Sequence, residues 1–281
     1  MGRRMRQRAH GRARGGRLTY ALVLAAGLAA HGALAPAAAS QTAPLAAPSA
    51  AADAQVRLLP GDFADGVYRV VLRITLPQGA LTYWRNPGDA GVAPTFDFSG
   101  SANLAHADVA LPAPTRLKEA GGEAFGYHDE ALFLITARPL RADAPLALEL
   151  RFDYAVCARL CVPAHAALTL ALTPAGGGDK ALAARAAHAL PRAVAAEAAA
   201  TIAFAGAHWT VTPKRAARDL FVEAPEGFFA ETRATDDGAF ALRLVEKPKN
   251  ARGLRPFRLT LTGDDGAVDF TANLDVGDAK P

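Results

Sequence analysis

The chain has 281 residues, enough for one large or two ordinary domains, and carries 31 Lys and Arg residues against 27 Asp and Glu residues, a formal net charge of +4. Seven of the arginines lie in the first 17 residues, so the rest of the chain has 24 basic against 27 acidic residues and a formal net charge of −3. The basic character therefore belongs to the N-terminus. No basic patch with interleaved aromatic residues follows, and we expect no nucleic-acid partner.

The N-terminus has the order of a secretory signal: a basic segment, an apolar segment from Leu18 to Leu34, and small residues at Ala38-Ala39-Ser40. We predict a signal peptide over residues 1–40 and export to the periplasm. The alternative is an uncleaved membrane anchor, but the apolar segment contains His31 and is short for a span of about 20 residues. No later stretch is apolar enough to cross a bilayer, so we expect a soluble mature protein.

Residues 41–54 are mostly Ala, Pro and Ser with almost no charge, and they predict a flexible linker. Over residues 55–175, short β-rich segments alternate with Gly and Pro turns, which is typical of an antiparallel β-sandwich. The clearest alternation runs from Leu146 to Tyr154, where apolar residues take every second position. The predicted strands are Tyr68–Leu76, Thr95–Phe98, Ala107–Leu111, Leu132–Ala137, Leu146–Tyr154 and Leu168–Leu172.

Three consecutive glycines at residues 176–178 interrupt the β pattern. Asp179 is a good N-cap for a helix that runs to about Leu190, where Pro191 stops it. We predict an Ala-rich helical connector over residues 176–200 and a second, smaller β-rich unit over residues 201–281. The predicted strands of the second unit are Phe221–Ala224, Phe240–Val245, Arg258–Thr262 and Val268–Ala272.

Cys157 and Cys161 are the two cysteines of the chain, and they flank a tight turn between two predicted strands. In an oxidising compartment such a pair forms a disulfide. Chain-entropy arithmetic gives about 2 kcal/mol of stabilisation for a five-residue loop, against about 4.7 kcal/mol for a 100-residue loop. A bridge of this kind can open without unfolding the domain, which is compatible with a redox role. Many short-loop disulfides are structural, however, and on composition alone the structural staple is the favoured alternative. Arg159, inside the loop, either lowers a thiol pKa or is a solvated turn residue.

His165 follows Cys161 by four residues, and with both cysteines it makes a candidate copper or zinc site. Periplasmic copper handling is therefore one alternative function. A closed zinc site needs a fourth ligand that the sequence does not indicate. We expect no metal and no cofactor other than the Cys157–Cys161 disulfide.

The Tyr-x-x-Cys-x-x-x-Cys-x-Pro segment that holds both cysteines resembles the N-terminal periplasmic domain of the thiol:disulfide interchange protein DsbD. The segment from Leu81 to Gly91 (LTYWRNPGDAG), followed by Phe96-Asp97-Phe98-Ser99, resembles the same family. The likeness extends over residues 55–175. It implies an immunoglobulin-like sandwich in which Cys157 and Cys161 are the redox pair of a thiol–disulfide oxidoreductase.

The resemblance also implies partners. The domain would accept electrons from a membrane electron donor and pass them to periplasmic thioredoxin-like proteins through a mixed disulfide, as in cytochrome c biogenesis. The Cys-x3-Cys spacing is shorter than in the better-known members, and we expect the donor and the acceptor to be separate proteins. The other alternative is a secreted binding module whose disulfide only pins a hairpin.

Aromatic residues near the predicted site suggest a cap or a docking surface. In the family an aromatic loop shields the cysteine pair, and Phe125 and Tyr127 lie where such a cap is expected, although both rings could instead pack in the sandwich. Tyr83 and Trp84 precede an Asn-Pro-Gly-Asp sequence that is strong turn chemistry. If exposed, they would form a docking surface.

Overall fold

The computed structural model describes residues 53–119, 122–174 and 177–277. The predicted signal peptide and almost all of the predicted linker lie outside these residues, and the predicted domain limits remain predictions. Strands dominate the described part of the chain, which contains two short helices, so the predicted mainly β fold is confirmed. No helix in this part is both long and apolar enough to span a bilayer.

Ten strands of the described chain form a first sandwich of two sheets. They are β1 (Gln55–Ala64), β2 (Val67–Thr75), β3 (Leu81–Gly88), β4 (Thr95–Asp97), β5 (Leu104–Ala110), β6 (Thr115–Glu119), β7 (Gly122–His128), β8 (Glu130–Pro139), β9 (Leu146–Cys157) and β10 (Cys161–Leu172). One sheet has the order β1-β2-β8-β5, and the other has the order β10-β9-β3-β7-β6, with β4 paired to β9. The core lies between the sheets and includes Leu72 and Phe133 from one, and Trp84, Leu148 and Phe152 from the other.

Strand β9 carries the predicted alternation. Leu146, Leu148 and Leu150 are at most 1% exposed, while the residues between them face solvent. The alternation stops at Tyr154, after which every residue to Cys157 is buried. The outward-facing residues at this end are covered by a second apolar cluster, which therefore buries both faces of β9 near the cysteines. This cluster consists of Leu81, Tyr83, Leu117, Ala124, Ala155 and Cys157.

Helix α1 (Lys180–His188) follows the first sandwich and lies on its outer surface. The predicted N-cap is confirmed, since the Asp179 carboxylate accepts a hydrogen bond of 2.9 Å from the backbone N–H of Leu182. Ala183 and Ala186 pack on an apolar patch formed by β2 and β8. The helix ends two residues before the predicted Leu190.

The remaining elements form a second sandwich. They are β11 (Arg192–Ala193), α2 (Ala196–Ala199), β12 (Ala200–Ala205), β13 (His208–Pro213), β14 (Asp219–Glu223), β15 (Phe229–Ala234), β16 (Phe240–Glu246), β17 (Leu254–Gly263) and β18 (Gly266–Asp275). The two sheets have the orders β11-β18-β17-β14 and β12-β13-β16-β15. Trp209 and Leu242 from one sheet meet Phe257 and Leu259 from the other in a core of its own.

We predict that Gly126→Ala lowers the free energy of unfolding by about 1–3 kcal/mol, because a methyl group on this residue of β7 would clash with the backbone of β3. The Cα of Gly126 pairs with that of Tyr83, and a Cβ here would lie 2.0 Å from the carbonyl oxygen of Thr82. Equilibrium denaturation measures the loss. Ala171→Ser, at an exposed position of β10, is the control and should change stability by less than about 0.5 kcal/mol. Unchanged stability of Gly126→Ala would contradict this close approach.

Candidate active site

The two cysteines lie at the end of the β9–β10 hairpin. Cys157 ends β9, Cys161 begins β10, and the two are direct cross-strand partners. The predicted disulfide joins them, with the two Cα atoms 4.0 Å apart. Arg159 and Leu160 are exposed at the tip of the hairpin. Of the two roles considered for Arg159, this position fits that of a solvated turn residue.

The two sulfur-bearing residues differ in exposure. Cys157 is 3% exposed, whereas Cys161 is exposed. The difference follows from strand order, because β9 lies inside its sheet and Leu81 of β3 pairs with Cys157, while β10 is an edge strand. An incoming thiol therefore reaches Cys161 and not Cys157.

Tyr83 is the aromatic residue that contacts the disulfide. Its hydroxyl oxygen lies 3.0 Å from the Cys157 Sγ and 3.3 Å from the Cys161 Sγ. It also lies 2.9 Å from Oε1 of Glu119, and because a carboxylate is a stronger acceptor than a disulfide sulfur, the single hydroxyl proton is donated to Glu119. Burial, and then this hydrogen bond, raise the pKa of Tyr83 far above its usual value. Tyr83 is therefore a neutral donor at physiological pH.

Glu119 brings a carboxylate to the same place. It is the last residue of β6, and its Oε2 lies 3.8 Å from the Cys157 Sγ and 3.7 Å from the Cys161 Sγ. Leu117, two residues earlier and on the same face of β6, packs in the cluster that buries Cys157. A carboxylate this close can accept a proton from a thiol, and it disfavours the thiolate form of either cysteine.

The structure does not bring His165 together with the two cysteines, which were the candidate ligand set of the copper-handling alternative. His165 lies about 13 Å along the strand from Cys161, at about 3.3 Å per residue. Its Nδ1 instead lies 2.6 Å from a carboxylate oxygen of Asp153, and this hydrogen bond lowers the pKa of Asp153. Among the described residues, the group of potential metal ligands that lies within 4.8 Å is Glu119 with the two cysteines, and sulfurs joined in a disulfide supply no thiolate to a metal.

Tyr83 and Trp84 are 1% and 0% exposed, so the condition for an aromatic docking surface at these residues is not met. Tyr127, a candidate cap residue, packs in the first core, which is the second of the two alternatives given for it, and its hydroxyl donates to the carbonyl of Pro112 at 2.8 Å. Phe125, the other candidate cap residue, lies edge-on to Phe221 of the second sandwich, with the ring centroids 5.0 Å apart. The aromatic residue that contacts the sulfurs is thus Tyr83, through its hydroxyl.

Sequence reasoning missed Glu119. The residue lies 38 positions before Cys157, and no spacing in the sequence connects the two. The one local signal is the alternation in Thr115–Glu119, which places Leu117 and Glu119 on the same face of a strand. That segment precedes the region in which we expected an aromatic cap.

Comparison with solved structures supports the fold. The N-terminal periplasmic domain of ScsB from Proteus mirabilis aligns with 80% of this chain and 94% of its own, with a TM-score of 0.64 and 18% sequence identity. At this identity the likeness establishes the immunoglobulin-like β fold and no more. The reduced N-terminal domain of DsbD from Neisseria meningitidis aligns with 41% of this chain and 86% of its own, at 18% identity and a TM-score of 0.27, which is too low to carry an argument.

Comparison of the sequence with protein families locates the site within a known domain. No curated protein matches the chain. The family model for the N-terminal domain of thiol:disulfide interchange protein DsbD matches residues 46–173, a segment that holds Tyr83, Glu119 and both cysteines. Residues 46–173, the part of the chain that holds the site, therefore match the DsbD N-terminal domain family.

Proposed function

We propose that this protein exchanges electrons with other proteins by thiol–disulfide exchange at Cys157 and Cys161. The observation that carries the proposal is the asymmetry of the pair: an exposed sulfur is bonded to a buried one, beside a carboxylate and a neutral hydroxyl. An exchange centre needs one sulfur that a partner can reach and a second that resolves the mixed disulfide. The match of residues 46–173 to the DsbD N-terminal domain family supports the same chemistry.

In the reducing direction, Cys161 makes the bond to the partner. Its thiolate attacks one sulfur of the partner disulfide, that disulfide breaks, and the partner's other sulfur leaves as a thiolate. Cys157 then gives its proton to Glu119 and attacks the Cys161 Sγ. The mixed disulfide breaks, the partner leaves as a dithiol after protonation, and two electrons have passed from the cysteine pair to the partner. A reduced donor restores the dithiol by the reverse steps.

We propose a membrane electron donor and periplasmic thioredoxin-like acceptors as the two partners. The secretory pattern of the N-terminus supports a periplasmic location, as does the periplasmic origin of the ScsB domain that shares the fold. Both partners must approach the same exposed sulfur, so their complexes with this protein are mutually exclusive.

We expect the reduction potential of the Cys157–Cys161 pair to lie above about −300 mV, since structural disulfides of secreted proteins lie below that value. Equilibration of the full chain with dithiothreitol buffers of graded ratio, followed by alkylation and mass spectrometry, measures the potential. A value well below that limit would favour the alternative of a binding module with a structural disulfide.

Cys157→Ser, which keeps the exposed Cys161, should accumulate mixed disulfides with thioredoxin-like proteins when it is expressed in a bacterial periplasm. Cys161→Ser leaves only the buried Cys157 and should accumulate about tenfold less mixed disulfide, because exchange requires access to the sulfur. Non-reducing gels and mass spectrometry identify the linked proteins, and the double serine variant is the control. Equal trapping by the two single variants would contradict the assignment of Cys161.

We predict that Glu119→Gln speeds alkylation of Cys161 at pH 7 by about threefold to tenfold, because removing the nearby negative charge favours the thiolate. The measurement is the pH profile of iodoacetamide modification in the Cys157→Ser background, where a single thiol reacts. Glu149→Gln, at an exposed position of β9, is the matched control and should leave the profile unchanged. An identical profile for Glu119→Gln would remove Glu119 from the mechanism.

A further inference from the structure

The second sandwich contacts the first through β14. Its residues alternate, so that Leu220 and Val222 point into the core of the second sandwich while Asp219, Phe221 and Glu223 point at the first. Phe221 is 1% exposed and packs as part of the first core. A strand of the second sandwich therefore completes the sheet-to-sheet packing of the first.

On the first sandwich, the three residues of β3 that follow Tyr83 contact β14. Trp84 packs against the ring of Phe221, with centroids 6.0 Å apart. The guanidinium of Arg85 makes a two-point ion pair with the carboxylate of Glu223, at 2.9 and 2.8 Å. The side-chain amide of Asn86 donates to the carbonyl of Val222 at 2.6 Å. The strand that supplies the site's hydroxyl is thus fixed by the second sandwich.

Strand β6, which supplies Glu119, is fixed in the same way through Arg116. The guanidinium makes a two-point ion pair with Asp219, at 3.0 and 2.9 Å. It donates further to the carbonyl of Leu220 at 3.2 Å and to the hydroxyl of Thr232 at 3.0 Å, both in the second sandwich. Its remaining nitrogen lies 2.6 Å from Oε2 of Glu123, across the hairpin on β7. The arginine joins β6, β7 and the second sandwich.

The two faces of β6 have different partners. Leu117 and Glu119 face the cysteines. The side chain of Arg116 points to the opposite face of the strand and contacts the second sandwich. Strand β6 is the edge of its sheet and pairs with β7 alone among the described strands. An edge strand has a hydrogen-bonded neighbour on one side only. Leu117 packs in the cluster around Cys157, and Arg116 adds a charged contact to the second sandwich three residues from Glu119.

Building on the exchange function proposed above, we infer that the second sandwich is a positioning element for the redox site, and that Arg116 with Asp219 acts as a clamp that holds Glu119 beside the two sulfurs. The hydrogen bonds of Arg116 go to Asp219, Leu220, Thr232 and Glu123 and not to either sulfur, so it is a positioning residue. The clamp acts on reactivity through Glu119, because β6 carries both side chains.

The test is a double-mutant cycle in the Cys157→Ser background, with the alkylation rate of Cys161 as the readout. Arg116→Gln should speed alkylation at pH 7 by about threefold or more, because the released strand no longer holds the Glu119 carboxylate beside the sulfur. In a Glu119→Gln chain the same change should have no further effect. A residue that merely stabilised the fold would act equally in both backgrounds.

Asp219→Asn, which keeps the shape of the clamp, should move the rate in the same direction by a smaller factor. The two substitutions remove charges of opposite sign, so a direct electrostatic effect on the thiolate would move the rate in opposite directions. Arg218→Gln is the control, because Arg218 pairs with Asp264 at an exposed site of the same sandwich and its loss should leave the rate unchanged. Near-ultraviolet circular dichroism checks that each variant is folded.

Slower alkylation in Arg116→Gln, or an equal effect with and without Glu119, would overturn the clamp. So would an unchanged rate in Glu119→Gln, since positioning that carboxylate would then have no consequence. The exchange function itself is tested by the trapping of partner proteins by Cys157→Ser, and that experiment does not depend on Glu119 or Arg116. The two failures are therefore distinguishable.

Discussion

The register of the β9–β10 hairpin is the constraint on which the site depends. The alternating apolar residues of β9 point into the core, and a slip of one residue would turn all of them to solvent. That register makes Cys157 and Cys161 direct cross-strand partners. Because cross-strand partners point to the same face of a sheet, both sulfurs meet the same neighbours, and the difference in their exposure comes only from the position of β10 at the edge.

A disulfide in this place contributes little to the stability of the fold. The closed loop has five residues, for which chain entropy gives about 2 kcal/mol, while the two sandwiches each have a core built from both of their sheets. The hairpin is also held by twelve residue pairs in unbroken register from Cys157 to Leu146. Opening the disulfide therefore leaves the strands paired and changes the chemistry of the sulfurs alone.

Local patterns in the sequence were enough for the elements that depend on neighbouring residues. The alternation of β9, the N-cap at Asp179 and the disulfide across a tight turn were all predicted and are present. The segment after Tyr83 misled us because Asn86 does accept a hydrogen bond from the N–H of Gly88, as in a turn, yet the residues before it form a buried strand. Glu119 could not be found, since only the tertiary fold brings it to the cysteines.

The contacts of β14 explain why the chain devotes arginines to the junction between its sandwiches. Arg85 and Arg116 are each about four-fifths buried and bind a carboxylate at two points, which a lysine cannot do because its ammonium is a single point charge. Two-point pairing fixes the direction of a side chain as well as its distance. Since Arg85 lies two residues from Tyr83 and Arg116 three residues from Glu119, the orientation imposed at the junction is passed along two strands to the hydroxyl and the carboxylate that flank the sulfurs.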